Sequence, residues 1–148
     1  MTGAAAKGRF LSPADRKRVQ DAIAAAERLT SGEIRLRVQP RCSGDPRADA
    51  ESWFVRLGMS QTADRNGALI FVAWQDRQFA IVGDTGIHER VGAAFWRAAA
   101  DTLTSHFAAG EFAAGLQAAV LALGEALATH FPRANDDANE LSDEISEE

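Results

Sequence analysis

The chain has 148 residues, which is enough for one sizeable core and too few for two comfortable domains. Hydrophobic residues make up 46% of it, a share typical of globular proteins rather than of disordered or fibrous ones. The net charge of −5 becomes +2 when the seven acids of residues 134–148 are left out. A near-neutral body without a platform of aromatic residues predicts that nucleic acid is not a partner.

The single cysteine, Cys42, excludes an internal disulfide and fits a reducing compartment. Residues 1–10 contain no apolar run long enough for a signal peptide. No later segment approaches the roughly 20 apolar residues that span a bilayer. We therefore expect a cytoplasmic protein without membrane insertion.

The first predicted helix follows a flexible N-terminal segment, residues 1–11, and begins at Ser12 as N-cap. Apolar residues keep helical spacing as far as Leu29, and Gly32 is a suitable C-terminal stop. Residues 33–40 then alternate polar and apolar, which predicts a strand with one buried face.

Arg35 and Arg37 share the other face of this strand. We expect them to be exposed on an edge strand, where charge discourages strand-to-strand aggregation.

A second helix is predicted to begin at Asp45-Pro46 and to end near Gly58. Two apolar runs on either side of the polar residues 75–78 then predict a β-hairpin. The first run, residues 67–74, is apolar at nearly every position, so we expect it to be central in a sheet. The order strand, helix, strand predicts a right-handed parallel βαβ unit.

A third helix follows Gly86, and a fourth runs from about Glu111 to Phe131 with Phe112 and other apolar residues inward. The predicted fold class is therefore α/β, in the order α-β-α-β-β-α-α. It contains a three-stranded mixed sheet, to which one further short strand can be added, with helices on both faces. The folded domain is predicted over residues 12–132, and residues 133–148 are predicted to be an acidic disordered tail.

Polar residues collect at one edge of this predicted sheet, where the first two strands begin and the third ends. Oxygen ligands and tight glycine turns there can form a site for a hard cation, Ca²⁺ or Mg²⁺. Asp, Asn and Gly are also common in surface turns for conformational reasons alone, so both interpretations stay open. The candidate metal ligands are Glu33, Asp64, Asn66 and Asp84.

The sequence contains no nucleophile-elbow motif, no phosphate-binding Gly-Lys-Ser/Thr run and no Cys/His cluster for zinc. Catalytic residues are therefore unknown. The candidates for contact with a phosphate or another ligand are Arg65, Thr85 and His88, which surround the polar edge.

Four motifs in order resemble the TPM domain family. They are Ser-Gly-Glu-Ile at residues 31–34, Asp-Arg-Asn-Gly-Ala-Leu-Ile at 64–70, Arg-Gln-Phe-Ala-Ile-Val-Gly-Asp-Thr-Gly-Ile at 77–87 and Gly-Glu-Phe-Ala-Ala-Gly-Leu at 110–116. The resemblance covers about residues 12–131. It implies an α/β sandwich and a connection with weak acid phosphatase activity, divalent-cation binding, and assembly or repair of membrane complexes.

The chain departs from this family at one position of the polar edge. Many members carry Asp-Asn-Gly where this chain has Arg65-Asn66-Gly67, so a cation replaces a ligand that could bind a metal. Two hypotheses follow. In the first, the domain acts mainly through contacts with an unknown protein partner at a membrane complex. In the second, it is a divalent-cation-dependent phosphatase that uses the polar edge.

Overall fold

A computed structural model describes residues 10–133 and 145–148. Over these ranges the chain forms four α-helices, one short 3-10 helix (Met59–Gln61) and four strands. In chain order the elements are α1 (Pro13–Glu27), β1 (Glu33–Gln39), α2 (Pro46–Arg56), β2 (Gly67–Ala73), β3 (Gln78–Gly83), α3 (Thr85–Ala108), α4 (Phe112–His130) and β4 (Ser146–Glu147).

The predicted N-caps of α1 and α2 are confirmed. The Ser12 hydroxyl accepts a hydrogen bond from the Asp15 backbone N–H at 3.1 Å, and the Asp45 side chain caps α2 in the same way. Each cap satisfies a backbone donor that has no partner inside the helix.

The four strands form one mixed sheet in the order β3-β2-β1-β4. Strands β1 and β2 are parallel with Glu33 opposite Gly67, and β2 and β3 form the predicted antiparallel hairpin. Residues 145–148 supply the further short strand, since β4 pairs in parallel with β1. The predicted βαβ unit, hairpin and α/β fold class are confirmed.

Helices cover both faces of the sheet, as predicted. One face of β1 and β2 packs against α1, α3 and α4, whereas the other face of β2 packs against α2 through Phe54 and Ala50. Strand β2 is buried along its whole length because both its faces are covered. It is therefore the centre of the molecule.

The prediction for Arg35 and Arg37 was wrong. Strand β1 lies between β2 and β4 rather than at an edge, and both arginines are buried. The Arg37 guanidinium stacks on the Trp53 ring at 3.6 Å and donates to the Ser146 hydroxyl at 3.0 Å. Burial lowers the pKa of Arg37, and the charge of Glu148 acts in the opposite direction.

Both ends of the chain differ from their predictions where the structure describes them. Phe10 and Leu11, assigned to a flexible segment, are buried in the core, and the rest of that segment lies outside the described residues. Ser146–Glu147 form a strand where a disordered tail was predicted, and residues 134–144 lie outside the described residues. Apolar burial of Ile145 explains why the chain end docks on β1.

Two predicted core positions are on the surface. Helix α1 ends at Glu27, before the predicted stop, and Leu29 behind it is 65% exposed. The backbone then pairs with the end of α4, where the Ser31 N–H donates to the Phe131 carbonyl at 3.0 Å. This pairing takes Leu29 off the helical face. Phe112, at the start of α4, is 37% exposed.

Helix α4 has the length and apolar composition of a membrane span, contrary to our expectation that no segment approaches this length. In the fold it packs against α1 and α3 and carries much of the core. A core helix meets the same two criteria, so they do not show that α4 enters a membrane.

Candidate functional site

The polar edge of the sheet is formed by the start of β1 and β2 and by the end of β3, as predicted. Two backbone hydrogen bonds join its corners: the Asp84 N–H donates to the Gly67 carbonyl at 3.0 Å, and the Gly86 N–H donates to the Arg65 carbonyl at 2.8 Å. The antiparallel hairpin forces this adjacency, because its two outer ends must meet.

Gly86 is required at this junction. A Cβ atom placed on it would lie 2.2 Å from the Asp64 carbonyl oxygen and 2.6 Å from the Arg65 carbonyl oxygen. Both obstacles are backbone atoms, which cannot rotate away. The loop that carries Asp64 and Arg65 is therefore held tightly against the first turn of α3.

Asp84 combines two roles at this edge. It is the N-cap of α3, and its Oδ1 accepts the Thr85 N–H at 2.7 Å. It also forms a bidentate pair with Arg65, in which Nε lies 2.9 Å from Oδ2 and the terminal Nη2 lies 3.2 Å from Oδ1. The hydrogen bond to Asp84 and its negative charge raise the pKa of the Arg65 guanidinium. Both carboxylate oxygens are thus already engaged.

The other candidate ligands differ in accessibility. Glu33 and Asn66 are both 1% exposed, whereas Asp64 lies on the surface. The Asn66 side-chain amide donates to the Ser31 hydroxyl at 3.3 Å, and its buried Oδ1 has no hydrogen-bond partner among the described residues.

A small cavity of about 310 Å³ opens beside this edge. Its lining includes Thr85 and His88 from the first turn of α3, together with Arg47 from α2 and Trp96. The Trp96 indole N–H donates to His88 Nδ1 at 3.0 Å, so the imidazole is oriented by a partner that the sequence did not indicate. Two of the three predicted ligand contacts therefore meet at one cavity.

Comparison with known proteins identifies the family. The TPM domain family matches residues 6–126, which is most of the chain. The chain belongs to the TPM domain family. The resemblance found in the sequence is thereby confirmed. No curated protein matches the chain.

Solved structures agree with this assignment. The NMR structure of the BA42 protein from the psychrophilic bacterium Bizionia argentinensis is 38% identical, covers 95% of this chain and 97% of its own, and has a TM-score of 0.88. The N-terminal domain of a P. gingivalis protein is 20% identical over 85% of this chain and 83% of its own, with a TM-score of 0.69. The N-terminal domain of the cg2496 protein from Corynebacterium glutamicum is 19% identical over 93% and 81%, with a TM-score of 0.59. The last two show the fold alone.

One feature of the polar edge opposes a divalent cation and another favours it. The oxygens of Asp84 face the Arg65 guanidinium, whose positive charge repels a metal ion. Among the described residues, no group of three or more His, Cys, Asp or Glu side chains lies close enough to hold one. The unpartnered Asn66 Oδ1 is the feature that favours an ion. Cation binding at this edge stays a prediction.

Proposed function

We propose that this TPM domain acts mainly as a protein-interaction module, in the cytoplasm, at a membrane-associated complex. The observation that carries the proposal is Leu121 on the outer face of α4, a large apolar side chain that is 62% exposed. The polar edge supports it in a second way, since the buried carboxylate of Asp84 is already paired with Arg65.

Helix α4 is poor in charged residues, and its exposed residues are Phe112, Leu121, Glu125 and Thr129. Along its 19 residues the only Asp, Glu, Lys or Arg is Glu125, and 44% of its most apolar window is buried. Leu121 is 62% exposed at mid-helix, between the half-buried Ala118 and Ala122. A surface helix of a globular protein ordinarily places charged residues on its outer side. Small and apolar residues there favour contact with another protein.

The state of Asp84 supports a role without catalysis. A cation-dependent phosphatase needs free carboxylate oxygens to hold its ion, but both oxygens of Asp84 are bonded to Arg65 or to the first turn of α3. The pair would have to open before an ion could bind there. We therefore propose protein interaction as the main function and catalysis as the second candidate.

The proposal is tested by photo-crosslinking in the cells that produce the protein. A photoreactive phenylalanine analogue replaces Leu121 in one variant and Asp101, an exposed residue of α3, in a matched control. We expect one discrete adduct from position 121, identified by mass spectrometry, and none from position 101. Leu121→Glu should abolish co-purification of the crosslinked protein. Equal background from both positions would contradict the proposal.

A second candidate is a weak divalent-cation-dependent phosphatase. The cavity that brings Thr85 and His88 together with Arg47 favours it, because hydroxyl, imidazole and guanidinium groups bind phosphate oxygens. In this candidate function Arg65 also contacts the phosphate, and Ca²⁺ or Mg²⁺ is held by Glu33, Asp64, Asn66 and Asp84. No described residue of the cavity forms a nucleophile-base pair, which limits the rate that we expect.

Hydrolysis of p-nitrophenyl phosphate distinguishes the two functions. Turnover that requires Mg²⁺ or Ca²⁺ and is lost in both Asp84→Asn and His88→Ala would establish the phosphatase. Turnover unchanged in these variants would mean that the polar edge is not the site. The matched control is Arg97→Gln, which removes an exposed cation of α3 outside the cavity lining.

A further inference from the structure

A larger cavity lies at the opposite end of the hairpin from the polar edge. Its volume is about 560 Å³, within the range of pockets that hold small organic ligands. The end of β2, the start of β3, the C-terminal half of α3 and the start of α4 all contribute to its lining. The proposed protein-contact face and the predicted phosphate contacts are both elsewhere.

Five aromatic rings contribute to the wall of this cavity. Phe107 lies edge-on to Phe79, Phe10 and Phe112, with ring centroids 5.7, 6.0 and 5.3 Å apart, and Phe10 stacks on Trp74 at 6.5 Å. Although these rings touch each other, Phe79, Phe107 and Trp74 remain half-buried. The cavity thus exposes apolar surface that a ligand could remove from water.

One charged side chain, Arg77, contributes to the described lining, and no Asp or Glu does. The adjacent acid at the hairpin tip, Asp76, is already paired with Arg41 at 3.1 Å and accepts the Cys42 N–H at 2.9 Å. No carboxylate among the described residues pairs with Arg77. Gln78, Thr104 and the indole N–H of Trp74 are the other side-chain groups of the lining that can form hydrogen bonds.

We propose that this cavity binds a small organic anion that has an apolar body and one carboxylate, as a short fatty acid does. The rings would cover the apolar body, and Arg77 at the mouth would pair with the carboxylate. A neutral ligand would leave the guanidinium unpaired, and a cationic one would be repelled by it. Charge complementarity therefore selects the anion among molecules of the same apolar shape.

The test is an NMR titration of the full chain with octanoate, octanol and octylammonium, which share one alkyl chain. The three indole N–H signals report the site: Trp74 lines the cavity, whereas Trp53 and Trp96 lie elsewhere and are internal controls. We expect saturable shifts of Trp74 alone, with affinity decreasing from octanoate to octanol to octylammonium.

Two pairs of variants make the test specific. Arg77→Gln should weaken octanoate binding about fivefold, since it removes one charge-assisted hydrogen bond near solvent, and should leave octanol binding unchanged. Its control, Arg97→Gln, should change the binding of neither compound.

The second pair fills the cavity. Ala108→Phe places a ring in the cavity lining and should abolish binding, whereas Ala98→Phe on the same helix should not. Unfolding midpoints confirm that each variant is folded.

Three results would overturn the proposal. One is the absence of saturable Trp74 shifts with octanoate. Another is equal affinity for octanoate and octylammonium, which would show that Arg77 does not select charge. The third is octanoate binding that occurs only after residues 1–9 are deleted, because the chain itself would then occupy the cavity next to Phe10.

Discussion

The two ends of the β2–β3 hairpin differ in how completely they are closed. At the polar end, Arg65 and Asp84 form a bidentate pair and Gly86 lies against the backbone of the preceding loop. At the apolar end, the rings of Phe107 and its aromatic neighbours line a cavity of about 560 Å³. Arg77 beside it has no carboxylate partner in the described structure. The end that is richer in reactive residue types is therefore also the end at which more of the charged side chains are already paired.

This difference shows that residue type and availability are separate properties. Asp, Arg and Asn at the polar end were candidate ligands because of their functional groups, yet Arg65 and Asp84 bond to each other, and Asp84 also bonds to the backbone of Thr85. Phe112 at the apolar end was expected to point inward, yet it and the neighbouring rings leave a cavity unfilled. The difference between the two ends of the hairpin can be tested with substitutions at each end.

The largest effect is expected from Gly86→Ala at the closed end. The new methyl group meets two backbone carbonyls, so we expect a loss of about 3 kcal/mol in the free energy of unfolding. Its control is Gly110→Ala at the open end, where nothing lies within 4 Å and only the left-handed backbone (φ 77°) opposes a side chain, at about 1 kcal/mol. Urea denaturation measures both, and equal losses would contradict the comparison.

A smaller loss, about 2 kcal/mol, is expected from Phe107→Ala, because its ring contacts three others and its removal enlarges an existing cavity. Phe112→Ala should cost about 1 kcal/mol, since that ring is 37% exposed. Urea denaturation of the two variants side by side gives the comparison. A greater loss for Phe112 would mean that the mouth of the cavity, rather than its wall, holds the aromatic cluster together.

Asp84→Ala should destabilise the protein by about 1 kcal/mol, since it removes the N-cap of α3. Asp84→Asn keeps a capping oxygen and loses the charge and one of the two oxygens that accept from Arg65, so its effect should be smaller. Thermal unfolding monitored by circular dichroism resolves the pair. If the two variants lost equal stability, the ion pair with Arg65 rather than the cap would be the main contribution.

The smallest effect is expected from Ca²⁺ on the unmodified protein, whose unfolding midpoint should rise by less than about 1 °C. Arg65→Asp removes the competing guanidinium and adds a carboxylate at the same place. Arg65 has a left-handed backbone (φ 52°), which Asp tolerates well. We expect at least about tenfold tighter Ca²⁺ binding in this variant, measured by calorimetry. Tight Ca²⁺ binding by the unmodified protein would show instead that the Arg65–Asp84 pair opens readily.

Much of the fold could be predicted from the sequence because local rules govern it. Ser12 and Asp45 each precede a proline at a helix start, and the apolar run of β2 requires cover on both faces. Long-range pairing was not accessible in the same way. The docking of residues 145–148 on β1 buries Ile145 and makes Arg37 an interior residue, although its local pattern is that of an edge strand.

The sequence by itself determined the element order, the family and the meeting of residues 64–67 with residues 84–86, since hairpin geometry leaves no alternative. Only the tertiary structure decided which of these groups are free. Arg65 and Asp84 are 19 positions apart, and the rings around the larger cavity come from five separate segments. Their pairing and packing depend on distances between elements, which no local pattern encodes.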